Sequence, residues 1–229
     1  VTELKKYAIY TPARTGSTLY ANLLAFYYIQ YFKVQNPVYW QVSGPSYDPN
    51  SLILHLHNLK TFTDLDTDYV KILTTRSILD SAVSLMIANI TGEWHLPRAT
   101  HKKEYVQKFQ YYLWRLDPDK FREHCHTFNQ HYTLANQAFD QFKGEKYILK
   151  YNTHAEDLTQ FFPAVGIDYT INSDINAYPI DMSNKCLDKF QLVANLQELI
   201  DIYQSLNLNF DYDDSVTIQK VKDIIYSRR

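Results

Sequence analysis

Residues 7–19 read Tyr7-Ala8-Ile9-Tyr10-Thr11-Pro12-Ala13-Arg14-Thr15-Gly16-Ser17-Thr18-Leu19, and the fold turns on how they divide. Tyr7–Tyr10 is a short β-prone run. Thr11–Thr18 is polar and carries one proline and one glycine. From Leu19 to Phe32 the chain is apolar without a breaker, which is too long for a strand and reads as a buried helix. A strand feeding a tight polar loop and then a helix makes an anion site, because loop N–H groups and the helix N-terminus point at one spot. Arg14 adds a fixed cation there. Thr15, Ser17 and Thr18 add hydroxyl donors, and Gly16 lets the backbone come close to an oxyanion.

Working outward, the prolines and glycine at Pro37, Gly44, Pro45 and Pro49 make 36–50 a loop. Ser51–His57 and Tyr69–Thr75 read as the next two strands. Arg76-Ser77 then leads into a helix from Ile78 to about Ile90, with Ser77 and Asp80 in a capping-box-like spacing and Thr91-Gly92 as the stop. Residues 91–101 read as a loop. Helices are expected over 102–114 and 118–142, a fourth strand over Lys146–Tyr151, and helical segments near 154–162, 184–205 and 214–226. Strands alternating with helices predict an α/β, three-layer fold, a central parallel β-sheet flanked by helices, in one domain over 1–229.

Two stretches carry a family resemblance. Arg14-Thr15-Gly16-Ser17-Thr18-Leu19 resembles the 5′-phosphosulfate loop of sulfotransferases, P-[KR]-[ST]-G-[ST]-[ST]-L, with Ala13 inserted between Pro12 and Arg14. Arg76, at a strand end, is followed eight residues later by Ser84, which is similar to the pair that holds the cofactor's 3′-phosphate in that family. The resemblance covers about residues 7–20, 51–57, 69–90 and 145–158. It implies a P-loop-like sulfotransferase architecture and 3′-phosphoadenosine 5′-phosphosulfate (PAPS) as co-substrate. Arg14, Thr15, Gly16, Ser17 and Thr18 would then cradle the phosphosulfate, and Arg76 and Ser84 the 3′-phosphate. The chemistry suits these residue types, since arginine presents a fork of donors to phosphate. Ser77, Ser81 and Ser84 share one helix face. Asp80 reads instead as a first-turn helix charge.

Transfer of a sulfuryl group needs an acceptor hydroxyl relieved of its proton. The second strand ends Leu54-His55-Leu56-His57-Asn58, and this resembles the K-x-H pattern that carries the base in cytosolic sulfotransferases. His57 takes the place of the base and His55 that of the lysine; both point to one strand face. Glu93 is a second candidate base. Tyr151 resembles the tyrosine of a Y-E-D-L strand end that lies near the adenine, with Asn152 in place of the glutamate. Nothing resembles the late R-K-G-x-x-G-x-W stretch of some members, and Arg228 and Arg229 read as a polar tail.

His124, Cys125 and His126 invite a metal reading, but helix positions i and i+2 diverge by about 200° and cannot chelate one ion; no metal is expected. The two cysteines, Cys125 and Cys186, form no disulfide framework and fit a reducing, cytoplasmic setting. Lys+Arg number 23 against 25 Asp+Glu, which excludes a broadly basic nucleic-acid coat. No run of 18 apolar residues predicts a membrane span, and no signal peptide is visible before the first strand. The acceptor is expected to be a hydroxylated compound, a carbohydrate or another small molecule, and Tyr39, Trp40, Tyr47, Trp94 and His95 could line its pocket. Two rivals share the fold. A kinase-like phosphotransferase using ATP would want GxxxxGK[ST], but Thr11 and Ser17 stand where its glycine and lysine belong. A non-catalytic nucleotide-binding module would keep the pocket without turnover.

Overall fold

The computed structural model describes residues 4–12, 17–41, 46–65, 68–92, 113–151, 158–169, 189–210 and 212–228. The chain divides into two compact units. One comprises Val1–Arg76 and His131–Tyr178, the other Ser77–Gln130 and Pro179–Arg229.

The first unit holds the sheet. Its strands are β1 (Lys6–Tyr10), β2 (Val38–Trp40), β3 (Ile53–Leu56), β4 (Tyr69–Thr75) and β5 (Lys146–Lys150), in the order β2-β3-β1-β4-β5 and all parallel. Helix α1 (Ser17–Phe32) carries the chain from β1 to β2, and α2 (Leu59–Asp64) carries it from β3 to β4, past β1 in the opposite direction. One hand of crossover then requires the two helices to lie on opposite faces, and they do. Tyr7 meets Tyr28 of α1 edge-on at 6.4 Å, while Tyr10 stacks on Phe62 of α2 at 5.1 Å. This unit is therefore a three-layer α/β arrangement with its parallel sheet in the middle, as the alternation of elements predicts.

Strand periodicity sorts the core between the faces. Ala8, Tyr10, Leu54, Leu56 and Leu73 pack with Phe62 and Leu65, and with Ala135 and Phe139 from the second half of the helix Pro118–Gln141, here α4. On the other face Tyr20, Leu23, Leu24 and Tyr28 of α1 are buried, and Tyr20 stacks on Phe161 of the short helix α5 (Phe161–Ala164) at 5.3 Å. Each such side chain contributes about 1.5–3 kcal/mol by leaving water. Lys71, in the middle of β4, is only 2% exposed; its ammonium donates to the Thr63 carbonyl at 3.2 Å and faces the rings of Phe62 and Phe142. A buried cation is tolerable here because a carbonyl dipole and two ring faces meet it.

The second unit contains α3 (Ile78–Thr91), the first half of α4, α6 (Leu196–Ser205) and α7 (Ser215–Ser227). Ser77 caps α3, its hydroxyl accepting from the Asp80 N–H at 3.1 Å, and Gly92 ends it at φ 74° with its N–H on the Ala88 carbonyl. That left-handed turn suits glycine. Asp80 is ion-paired with Lys189.

Two elements correct the sequence reading. The 36–50 segment is not loop throughout, since Val38–Trp40 forms the edge strand β2 beside β3. Residues 59–64 form α2, capped by Asn58, whose side chain accepts from the Thr61 N–H at 2.9 Å. The expected helix at 102–114 falls mainly on residues outside the described ones.

Candidate functional site

The strand order fixes where a ligand would sit. The chain leaves β1 towards β2 on one side of the sheet, and leaves β4 towards β5 on the other. Neighbouring strands whose connections diverge open a crevice at their carboxyl ends. β1 and β4 are these neighbours, paired from Lys6↔Tyr69 to Tyr10↔Leu73, and the Thr74 hydroxyl ties their ends by donating to the Tyr10 carbonyl at 3.4 Å. The sequence motifs begin at those two ends, at Thr11 and at Arg76.

At the end of β1, Thr11 and Pro12 are buried, and the Thr11 N–H donates to the Leu56 carbonyl at 3.2 Å. Arg14, Thr15 and Gly16 lie outside the described residues. α1 starts at Ser17, so a helix N-terminus follows the motif directly, with Thr18 half-buried in its first turn.

His57 follows the end of β3 and is exposed. Its Nδ1 lies 3.2 Å from the Thr11 carbonyl oxygen. A carbonyl only accepts, so Nδ1 carries the proton and Nε2 of the neutral ring keeps its lone pair. The nitrogen able to take a proton is thus the one turned away from the protein's own hydrogen bond. His55 stands behind it, 3% exposed, with ring centroids 4.6 Å apart at 85°. Trp40, 40% exposed at the end of β2, meets His55 at 4.8 Å. The two histidines are therefore brought together, one packed and one open. Tyr47 is exposed, and the Tyr39 hydroxyl donates to the Ser46 carbonyl at 3.4 Å.

At the end of β4, the guanidinium of Arg76 sits 4.4 Å from the centroid of the Tyr151 ring, and its backbone N–H donates to the Tyr132 hydroxyl at 3.2 Å. Tyr20 meets Tyr151 edge-on at 6.4 Å. Tyr151 and Arg76, singled out from distant parts of the sequence, form a stacked pair. Ser84 belongs to the second unit, where it is 5% exposed on α3.

Sequence reasoning missed Gln41, Tyr20 and Tyr132. Gln41 is 4% exposed just past β2, and its side chain holds the turn that carries His57. Nothing local marks it, because its partners are 16 and 17 residues away. Arg228 also departs from the polar tail expected of it: its guanidinium donates to the carbonyls of Phe190, Gln191 and Val193 at 2.6–3.2 Å. Among the described residues no three His, Cys, Asp or Glu side chains gather as metal ligands. The Cys125 thiol is pushed up to about 12 by burial, and burial lowers His124 and His131. Among the same residues no helix is long and apolar enough to cross a membrane. Glu93, Trp94, His95, Asn152, Cys186 and Arg229 lie outside the described residues.

No family model matches the chain, and no curated protein matches it. Among solved structures it is similar to a sulfotransferase from Alicyclobacillus acidocaldarius, with 11% identity over 90% of this chain and 98% of that one, at a TM-score of 0.39. Likeness at that level leaves the functional reading to the residues themselves.

Proposed function

We propose that the chain is a PAPS-dependent sulfotransferase acting on a hydroxylated small molecule. The observation that carries this reading is the His57 Nδ1 contact with the Thr11 carbonyl, because it sets a ring with a free Nε2 beside the start of the phosphosulfate-like loop. In this reading Arg14, Thr15, Gly16, Ser17 and Thr18 hold the 5′-phosphosulfate. Arg14 balances charge on the sulfuryl group and the leaving phosphate. Arg76 holds the 3′-phosphate, and Tyr151, whose ring meets its guanidinium, lies near the adenine. His57 Nε2 takes the acceptor's proton as the acceptor oxygen bonds to sulfur, with His55 packed behind it. The bond from sulfur to the 5′-phosphate oxygen breaks in line, and the electron pair leaves with adenosine 3′,5′-bisphosphate.

Titration calorimetry tests the cofactor. Adenosine 3′,5′-bisphosphate should bind at micromolar concentration, AMP and ATP far more weakly, and Arg76→Ala should lose the preference. No binding at millimolar ligand would overturn the reading. Bisphosphate binding without transfer to any hydroxyl acceptor would point to the binding module instead.

A further inference from the structure

We infer that Gln41 is the positioning residue for His57, setting which ring nitrogen is free to act as base; this rests on the reading of His57 above. β3 ends at Leu56 and α2 begins at Leu59, so the N–H groups of His57 and Asn58 belong to neither a strand ladder nor a helix. Buried or half-buried donors of that kind need a partner. Gln41 Oε1 supplies it for both, accepting from the His57 N–H and the Asn58 N–H at 3.0 Å each.

The other end of the amide fixes the acceptor. Gln41 Nε2 donates to the Ser46 carbonyl at 3.3 Å and to the Thr61 hydroxyl at 3.4 Å, so Oε1 is the atom aimed at the turn. Its own backbone N–H donates to the His55 carbonyl at 3.0 Å, continuing the β2–β3 ladder one residue past the strand. Gln41 is thus locked by its main chain to one histidine and reaches with its side chain to the next, two residues on. Asn58 completes the clamp, since its Oδ1 caps α2 through the Thr61 N–H.

This has a consequence for the ring. The His57 backbone is held at the height where Nδ1 meets the Thr11 carbonyl at 3.2 Å. An imidazole left to itself in water favours the proton on Nε2. The contact with Thr11 reverses that preference, and it survives only while the turn keeps its place. Gln41 therefore acts on the tautomer through the backbone.

The test compares Gln41→Leu and Gln41→Glu in the full chain. Leucine removes both acceptor bonds. Glutamate keeps an oxygen for the two N–H groups and adds a negative charge near the ring. ¹⁵N spectra of histidine-labelled protein, with the His57 signals identified by their loss in His57→Gln, report the tautomer without any need for turnover. The wild type should show neutral His57 protonated on Nδ1. Gln41→Leu should shift it to Nε2 and lower kcat about 100-fold, the cost of a misplaced group, with little change in KM for PAPS. Gln41→Glu should keep the Nδ1 tautomer and recover most of kcat. Wild-type His57 protonated on Nε2, or a Gln41→Leu ring unchanged from wild type, would overturn the inference. So would a Gln41→Glu ring that shifts as far as the leucine variant. If the ring behaves as expected but no variant nor the wild type transfers sulfate, the positioning stands and the sulfotransferase reading falls.

Discussion

The guanidinium carbon of Arg76 lies 4.4 Å from the centroid of the Tyr151 ring. Arg76 follows β4 and Tyr151 follows β5, which pairs with β4 up to Thr75↔Lys150. The parallel register thus delivers the two side chains to one spot at the carboxyl edge of the sheet. A cation on a ring face is held there by the ring's electron-rich centre.

From this pair, Tyr151→Ala should weaken adenosine 3′,5′-bisphosphate binding about 10-fold, as expected for one cation–π contact that is partly desolvated. Tyr151→Phe keeps the ring and should bind almost as the wild type does. AMP, which has no 3′-phosphate, should lose less than the bisphosphate does. Calorimetry on the three proteins decides it: equal losses in Phe and Ala would show that the hydroxyl, not the ring, carries the effect.

His57→Ala should lower kcat for sulfuryl transfer about 10²–10⁴-fold, the usual worth of a positioned general base. Bisphosphate affinity should hold, because a general base acts on the acceptor's proton and not on the cofactor's phosphates. Steady-state kinetics beside calorimetry separates the two effects. A variant that kept full kcat would remove His57 from the chemistry and turn attention to Glu93.

Much of this arrangement was legible in the sequence because its signals are local. The Leu19–Phe32 run is apolar on all sides and became α1, and Ser77 with Asp80 marked the start of α3. β2 was hidden because three residues carry no readable alternation and sit among Pro37, Gly44, Pro45 and Pro49. Six-residue α2 is likewise too short for a helical period to show, although Asn58 three residues before Thr61 was a usable capping signal. Residue type singled out Arg76, Tyr151 and His57 as candidates. The meeting of Arg76 with Tyr151 came from strand order and register, which a sequence encodes only through distant pairings. Gln41 shows the limit: an amide 16 residues from its partner has no pattern to belong to.

In the second unit, the Asp80–Lys189 pair should matter more than a surface ion pair, since the two side chains are only 10% and 18% exposed. Lys189→Met leaves Asp80 charged and largely out of water, and should cost about 3 kcal/mol or more. Asp80→Asn together with Lys189→Met removes both charges and should recover part of that loss. Urea denaturation of the two single variants and the double one measures the coupling. Strictly additive losses would mean that the pair is no better than solvated.

Cys125 gives the alkaline counterpart. Burial pushes its thiol up to about 12, whereas in an unfolded chain it would ionise near 8.5. The folded pKa is raised, so the sign is fixed. The contribution is whole below about pH 8.5, where the thiol is neutral in both states. It is lost as pH climbs towards 12, because only the unfolded state gives up its proton, at a slope approaching 1.4 kcal/mol per pH unit. Wild type should therefore lose stability faster than Cys125→Ala above about pH 8.5 and at a similar rate below it. In a Cys186→Ser background the folded protein should also resist a thiol reagent at pH 8 and react once denatured. Fast labelling of the native protein would show that the Cys125 site opens without global unfolding.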